Sequence, residues 1–241
     1  MELAICIFLL SIVASFIQRT TGFGFGIFIM TMLPFLMPSY GEATTLSGLL
    51  ALTTSLVVTL RHISLINLRR MLPILLAFVV LSSIAIFCIK RVEDHQLRYV
   101  LGYVLIVVSL YFAFFNRRIH LKANVPTQLS MGSLSGLMGG FFGMQGPPAV
   151  LYFISSEPDK EHYMADIQCY FLLGNLIMTG VRARNGFLTP TVGIDYLYGL
   201  GGLAIGTTIG AFVFKHIPSR WFQYIVYAYI GISGIVILLT A

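Results

Sequence analysis

Residues 71–89, MLPILLAFVVLSSIAIFCI, contain no Asp, Glu, Lys or Arg. A helix needs about 20 mostly apolar residues to cross the roughly 30 Å hydrocarbon core of a bilayer, so this stretch is long enough for one crossing. Further stretches without these charged residues lie on both sides of it, at 43–60, 99–115, 127–154, 196–214 and 221–241. Their repetition along the chain predicts a protein that crosses a membrane several times.

The composition of the whole chain indicates the same class. Of its 241 residues, 57% are hydrophobic and 10% are charged, and the mean hydropathy is +0.89, whereas a soluble domain carries about 25% charged residues. Backbone amides in lipid must bond within their own segment, which leaves helices or a closed barrel. The apolar stretches are continuous and lack the alternation of barrel strands. We therefore predict an all-α, polytopic helical membrane protein, with the lipid bilayer as a partner.

The formal net charge of +6 does not indicate nucleic-acid binding. The Lys and Arg residues are dispersed in short connections between apolar stretches, as they are in membrane proteins. No P-loop, HExxH or G-x-S-x-G motif occurs, which predicts that the protein is not an enzyme. The histidines and the three cysteines are not spaced as metal ligands. We expect neither a cofactor nor a metal.

The chain contains an internal duplication. KRVEDHQLRYV at 90–100 aligns with KHIPSRWFQYI at 215–225, at an offset of 125 residues. Two further pairs keep nearly this offset, namely Arg61 with Arg184 at 123 residues and Glu42 with Asp166 at 124 residues. Because these matches keep one order, they predict a first membrane repeat at 1–115, a basic linker at 116–126 and a second membrane repeat at 127–241.

Each predicted repeat holds four membrane segments, about eight in all, and the first segment of each repeat is interrupted. If both interrupted segments cross the membrane fully, the repeats have parallel topology. If each folds back as a re-entrant hairpin, the repeats are inverted. Counting Lys and Arg on the two sides does not separate these alternatives. Full crossing is the simpler expectation.

The interruptions are two glycine-rich stretches, IQRTTGFGFGIF at 17–28 and GGFFGMQGPPAV at 139–150. Glycine weakens a helix, and Pro147 and Pro148 lack the amide hydrogen that would continue one. Non-helical backbone at membrane depth occurs only where protein buries it or a wet cavity adjoins it, and transporters bind substrate at such places. The two breaks are therefore the predicted substrate site. The alternative is close helix packing by small residues.

The breaks have a chemistry that suits anions, because the amides at the start of a helix favour negative charge. Arg19 is a cation in an apolar stretch and its guanidinium suits oxyanions, although it could instead reach the interface. Gln18, Thr21 and Gln145 are polar side chains at the breaks, and Asn175 is a lone amide inside a later segment. The predicted substrate-binding residues are Arg19, Thr21, Gly22, Gly24, Gly26, Gly143, Gln145, Gly146, Pro147 and Asn175.

Other charged and polar residues have different predicted roles. Glu42 and Asp166 open equivalent segments, where a carboxylate stabilises a helix N-terminus. The alternative for both is proton coupling, in which a half-buried carboxylate binds and releases protons during transport. A further group follows segments that end near an interface, and its predicted role is to anchor the chain to lipid headgroups. That group comprises Arg61, His62, Arg182, Arg184 and Asn185.

The glycine-rich stretches resemble the signatures of a known family. IQRTTGFGFGIFIMTMLP at 17–34 resembles the first signature of the TauE/SafE family, also called the sulfite exporter or DUF81 family, and GLMGGFFGMQGPPAVLYF at 136–153 resembles the second. The resemblance implies a plasma-membrane permease or exporter for small anions, often sulfur-containing ones such as sulfite, sulfoacetate or other organosulfonates. Arg19 stands where the family tends to have a small residue, and Ala165 and Asp166 stand where an Arg-Ala pair is frequent. These departures could change which anion is accepted.

Two other functions fit the same residues. A passive anion channel would line an open pore with the polar breaks, and it would show single-channel currents in place of counterflow. A non-transporting assembly factor would have a dry, tightly packed centre. A homo-oligomer is compatible with the sequence in each case.

Overall fold

The computed structural model describes residues 2–114, 121–156, 159–213 and 219–240. Within these ranges every regular element is a helix, which confirms the predicted all-α class. Residues 116–120 of the predicted linker at 116–126 and residues 215–218 of the motif at 215–225 lie outside the described residues. The α-helices are α1 (Glu2–Thr21), α2 (Phe25–Ile29), α3 (Leu33–Leu36), α4 (Tyr40–Arg61), α5 (Leu68–Ile89), α6 (Asp94–Phe114), α7 (Val125–Phe142), α8 (Gly146–Ser156), α9 (Lys160–Arg184), α10 (Pro190–Val213) and α11 (Ser219–Thr240), and a short 3-10 helix spans Ile63–Leu65.

Polar side chains fix where several long helices begin. The side chains of Ser39, Asn67 and Asn124 each accept a hydrogen bond from the backbone amide three residues later, and Asp159 accepts two at the start of α9. Such caps satisfy amides that have no partner within the helix. Hydrogen bonds from the backbone and ring of His162 also hold the pKa of the exposed Asp159 carboxyl below its ordinary value. These caps set the starts of α4, α5, α7 and α9.

In the part of the chain that the structure describes, five helices are long and apolar enough to cross a membrane, namely α1, α4, α5, α6 and the Glu161–Arg184 part of α9. Large apolar side chains cover their outer faces. Leu76, Phe87 and Val107, for example, are each more than half exposed. Such a surface is unfavourable in water and suits contact with lipid. The chain is therefore an integral membrane protein, and the total of about eight segments stays a prediction.

The helices pack in four main pairs: α1 along α10, α5 along α7, α4 along α9 and α6 along α11. Glycines allow the closest approach in the first two pairs. A Cβ on Gly136 of α7 would collide with the backbone of Phe78 in α5, and a Cβ on Gly206 of α10 would collide with the carbonyl oxygen of Ile12 in α1. Small residues at helix contacts are the usual means of close packing in lipid. These glycines of α7 and α10 therefore have a packing role.

The helices α4 and α9 run antiparallel. Near the start of α4, a Cβ on Gly41 would overlap the ring of Phe187, which follows the end of α9. In the second half of α4, Ser55 comes close to Gln168 in the first half of α9. Both residues accept from the side-chain amide of Gln18, each at 3.3 Å.

The helices α6 and α11 also run antiparallel, since Gly102 lies against Leu238 whereas Ser109 lies against Gly231. The predicted duplication makes α4 equivalent to α9 and α6 equivalent to α11. Parallel repeats would give equivalent helices the same direction. In both pairs the helices run in opposite directions, so these contacts do not agree with the expectation of full crossing with parallel topology. The helix directions depend on the packing of distant segments.

The chain turns back after each break. After α7, the helix α8 returns beside it, and the side-chain amide of Gln128 donates to the hydroxyl of Tyr152 at 2.7 Å. After α1, Gly22 lies against Met164 near the start of α9, whereas α4 begins at the other end of α9. Residues 22–40 thus run back along α9. This is the course that the re-entrant alternative describes.

Candidate functional site

The two glycine breaks meet inside the protein. A Cβ on Gly26 would overlap the carbonyl oxygen of Gly143. A Cβ on Gly146 would lie 3.8 Å from Phe23, an ordinary contact. The two stretches are far apart in the sequence, so this meeting is a product of the fold.

Positive φ angles show why glycine is needed at the breaks. The φ angle is 86° at Gly22, 100° at Gly24 and 67° at Gly143, values that other residues rarely adopt. Gly24 precedes α2, and Gly143 ends α7. In the second break α8 then begins at Gly146. The two prolines that follow lack amide hydrogens, which is tolerated because amides in a first helical turn have no partner within the helix.

The helix α9 holds the backbone of both breaks. The side-chain amide of Gln168 donates to the carbonyl oxygen of Gly22 at 2.7 Å in the first break. Tyr170 donates its hydroxyl hydrogen to Ser135 at 2.9 Å, and Ser135 in turn donates to the carbonyl oxygen of Gln145 in the second break. One helix therefore sets the relative position of the two breaks.

A small cavity lies where the breaks meet. The space in which the centre of a water molecule can lie is about 30 Å³. This is enough for about two water molecules. The backbone of both breaks and side chains from α1, α4 and α9 line it. The lining residues are Gln18, Gly24, Phe25, Gly26, Ile27, Ala51, Ser55, Gly143, Met144, Gln145, Gly146, Phe171 and Asn175. They include six of the predicted substrate-binding residues, namely Gly24, Gly26, Gly143, Gln145, Gly146 and Asn175.

Amide side chains supply the polar atoms of the cavity. Asn175 and Gln145 are only 3% and 6% exposed. Among the described residues, the side-chain nitrogen of Asn175 and the side-chain oxygen of Gln145 have no hydrogen-bond partner. Gln145 donates its own side-chain N–H to the carbonyl oxygen of Phe171 at 3.3 Å. An unsatisfied buried polar group costs about 1–3 kcal/mol, and both Asn175 and Gln145 line the cavity.

Four predicted binding residues do not line this cavity. Arg19 lies in a separate groove between α1, α4 and α10, which Arg61 also lines. Thr21 donates its hydroxyl hydrogen to backbone carbonyls of its own break. Gly22 lies against α9, and Pro147 lines an apolar cavity between α6, α7 and α8. The cation that the sequence places at the break is therefore absent from the cavity lining.

The two carboxylates considered for proton coupling also lie outside the cavity lining. Asp166 is 1% exposed and accepts the amide hydrogen of Asn67 at 2.7 Å. It thus stabilises a helix N-terminus, but that of α5, because α9 itself begins earlier, at Lys160. Glu42 lies in the first turn of α4, as predicted. Proton coupling stays a prediction for both.

The sequence did not predict that Arg182 is buried. This residue is completely buried, so the predicted role as a headgroup anchor is wrong. Its Nη1 donates to the carbonyl oxygen of Thr44 at 3.1 Å, and its Nη2 donates to those of Gly139 and Gly140 at 2.9 and 3.2 Å. Arg182 follows Asn175 by seven residues, about two helical turns. This spacing is the signal in the sequence that places both side chains on one face of α9.

The other predicted anchors divide into two kinds. Asn185 is buried, and its side-chain amide donates to the carbonyl oxygen of Val181 at 2.8 Å, so it ends α9 and does not reach a headgroup. Arg61 and Arg184 are exposed, and His62 is half-buried. The exposure of the two arginines suits the anchoring role that the sequence predicts for them.

Long apolar helices, two interrupted segments that meet at the centre and a small polar cavity between them are the features of polytopic membrane transporters. The chain belongs to the Sulfite exporter TauE/SafE family, whose family model matches residues 7–237, nearly the whole chain. The resemblance expected from the glycine-rich stretches is thereby confirmed. Comparison with curated proteins and with solved structures gave no match.

Proposed function

We propose that the protein is a plasma-membrane permease that exports small anions, in particular sulfur-containing oxyanions such as sulfite, sulfoacetate or other organosulfonates. The substrate binds in the cavity where the two breaks meet. The observation that carries this proposal is the unpaired side-chain nitrogen of Asn175 in a cavity lined by the backbone of both breaks. Membership in a family described as sulfite exporters supports the substrate class.

The packing of the helices supports an inverted duplication around this cavity. The first helix of each proposed repeat packs against the third helix of the other, α1 against α10 and α7 against α5. The second helices pack against each other, as do the fourth helices, and both pairs are antiparallel. A two-fold axis in the membrane plane produces this exchange of partners, and transporters with inverted repeats bind substrate near it. We infer that 1–115 and 127–241 are inverted repeats.

The polar groups of the cavity suit an anion better than a cation. The side-chain nitrogen of Asn175 has no hydrogen-bond partner among the described residues, whereas that of Gln18 already donates to Ser55 and Gln168, each at 3.3 Å. Among the described residues, no Asp or Glu lines the cavity. A hard cation prefers several carboxylate or carbonyl oxygens, whereas an oxyanion accepts hydrogen bonds from several donors at once.

The size of the cavity supports a carrier over a channel. With room for about two water molecules, it leaves little space for sulfite and none for an organosulfonate unless the breaks move apart. A carrier opens and closes its site around the substrate. A channel needs a continuous wet path with weak binding along it. The alternating opening of a carrier therefore fits this centre.

The experiment that tests the proposal is flux of radiolabelled sulfite into liposomes that contain the purified protein. We expect saturable uptake and counterflow in the wild type. In Asn175→Leu we expect uptake to fall about tenfold, since a hydrogen bond to a charged group contributes about 1.5–3 kcal/mol. The control is Leu176→Ala, the next residue on α9, whose side chain is exposed towards lipid.

Three results would each contradict a part of the proposal. Absence of flux for sulfite, sulfoacetate and other small oxyanions would exclude an anion permease. Single-channel currents without counterflow would replace the carrier by a channel. Equal fluxes in Asn175→Leu and the control would leave transport in place but remove the cavity as its site.

A further inference from the structure

A row of polar groups leads away from the cavity along the interface of α4 and α9. Asn175, Thr179 and Arg182 are spaced by four and three residues, so they share one face of α9. Ser47 lies on α4, near the second break. Among the described residues, each of these four side chains has a buried polar atom without a hydrogen-bond partner. These atoms are Nδ2 of Asn175, Oγ1 of Thr179, Nε of Arg182 and Oγ of Ser47. Such atoms are few in folded proteins, and each needs a partner, which water or a ligand can supply.

Gly48 of α4 connects this row to the cavity. A Cβ on Gly48 would lie 3.2 Å from Nη1 of Arg182, 3.7 Å from Oγ1 of Thr179 and 3.9 Å from Oδ1 of Asn175. The three polar groups therefore all lie within 4 Å of one position beside α4. Asn175 also lines the cavity, so the guanidinium of Arg182 lies near the cavity, on the other side of Asn175.

The positive charge of Arg182 is buried without a carboxylate. In the part of the chain that the structure describes, Arg182 forms no salt bridge, and its hydrogen bonds go to three carbonyl oxygens. A buried charge without a counter-charge is costly, and in membrane proteins such residues mark substrate pathways. Two of the carbonyls belong to the last turn of α7, whose negative end offsets part of the charge. An anion beside Nε would offset more of it.

We propose that Arg182 is a second anion-binding position, which receives the substrate from the central cavity on the side of the protein where α4 begins. The anion accepts from Nε of Arg182 and from the hydroxyl of Thr179, and Asn175 lies between the two positions. When the carrier opens towards this side, an anion that leaves the cavity binds there before it reaches the solvent. The inference rests on the proposed anion transport through the cavity.

A purely structural role for Arg182 would be to donate hydrogen bonds to the carbonyl oxygens at the end of α7. Lys and Gln can both donate such a bond, but only Lys has the charge. The comparison of Arg182→Lys with Arg182→Gln therefore separates the two roles. Arg184→Gln is the matched control, because Arg184 lies on the same helix and is exposed.

The first measurement is the KM for sulfoacetate uptake into liposomes. For Arg182→Gln we expect the KM to rise about tenfold, the loss expected for one charge-assisted hydrogen bond. The KM of Arg182→Lys should stay closer to that of the wild type, and that of Arg184→Gln should not change. Thermal unfolding in detergent shows whether each variant is folded. Equal KM values in the Lys and Gln variants would overturn the inference.

The second measurement uses the wild-type protein, so it does not depend on how a variant folds. Phenylglyoxal modifies guanidinium groups that solvent can reach, and peptide mass spectrometry measures the rate at each arginine. We expect Arg182 to react more slowly than Arg61 and Arg184, and sulfoacetate to slow the reaction several-fold at Arg182 alone. An Arg182 that does not react, or that reacts equally with and without sulfoacetate, would count against the second position.

The two measurements separate this inference from the proposed function. Protection of Arg182 in a protein that moves no oxyanion would refute the transport function and keep the anion position. Transport with an unchanged KM in Arg182→Gln, together with no protection, would refute the position and keep the function.

Discussion

Gln18 and Arg19 are neighbours in the sequence, but they reach different regions of the molecule. Gln18 is buried and lines the central cavity, where its side-chain amide donates to Ser55 and Gln168. Arg19 faces the outer groove between α1, α4 and α10, beside Arg61. The centre thus contains a neutral amide, and the cation next to it in the sequence lies in the groove.

This difference shows that the depth of a residue in the membrane and the direction in which its side chain points from the helix have to be determined separately. Position in an apolar stretch gives the depth, and Arg19 is indeed close to the first break. Successive residues of an α-helix point about 100° apart, so the next side chain can face another partner. Arg19 packs against α10 at Gly210, where a Cβ would collide with it. Packing between distant helices decides the side.

The strongest test of the centre is Gly26→Ala. Its new Cβ would overlap the carbonyl oxygen of Gly143, and a backbone atom cannot rotate away. The two breaks would have to separate, which we expect to destabilise the fold by about 3 kcal/mol, the upper part of the usual range for overpacking. For a chain of this size that is a fall of roughly 6–12 °C in Tm. Thermal unfolding in detergent measures it, and sulfite flux should fall with it.

The matched control is Gly180→Ala on α9. No atom lies within 4 Å of the position that its Cβ would take, and Ala is favoured over Gly in a helix by about 1 kcal/mol. The Tm of this variant should be unchanged or higher. If Gly26→Ala and Gly180→Ala unfolded at the same temperature, the centre would be no more tightly packed than the lipid-facing side of α9.

The parts of the centre that were predicted from the sequence depend on local information. Apolar stretches specify membrane helices because lipid supplies no backbone partners. Glycine at 22, 24 and 143 interrupts those helices, and the prolines at 147 and 148 lie where the next helix begins, both for reasons that lie within a few residues. Asn175 stands out because it is polar inside an apolar stretch. These features needed no knowledge of distant contacts.

Arg182 could not be placed in the same way. Its position near the end of an apolar stretch indicated an interface, and the depth of a residue says nothing of what covers it. The structure buries it because Thr44 of α4 and Gly139 and Gly140 of α7 surround the guanidinium. These contacts join segments far apart in the chain. The helix directions depend on the same long-range packing, which is why counts of Lys and Arg did not decide them.

A smaller effect is expected for Gln18→Met, which tests the cavity side of α1. Methionine keeps the length of the side chain but removes the donor to Ser55 and Gln168. The backbone of the break stays held, because Gln168 still donates to Gly22. We expect a loss of about 1 kcal/mol in stability, the net contribution of a typical hydrogen bond, and a several-fold fall in sulfite flux. Leu9→Met, on the exposed side of α1, should keep wild-type flux, and wild-type flux in Gln18→Met would remove its side chain from the site.

The smallest effect is expected for Arg19→Gln, which tests the groove. Arg19 and Arg61 line the same groove, so each can only raise the local concentration of anions near the surface. Such long-range attraction is screened within about 8 Å at physiological salt. At physiological salt, the flux of Arg19→Gln should therefore be within about twofold of that of the wild type. At low salt, its flux relative to the wild type should be lower, because the attraction is screened less. At both salt concentrations it should match the flux of Arg61→Gln. If Arg19→Gln lost more flux than Gln18→Met at both salt concentrations, Arg19 would have to reach the cavity in another state of the transport cycle. The groove and the centre would then be two states of one site, since α1 would have to rotate to exchange the two neighbouring side chains.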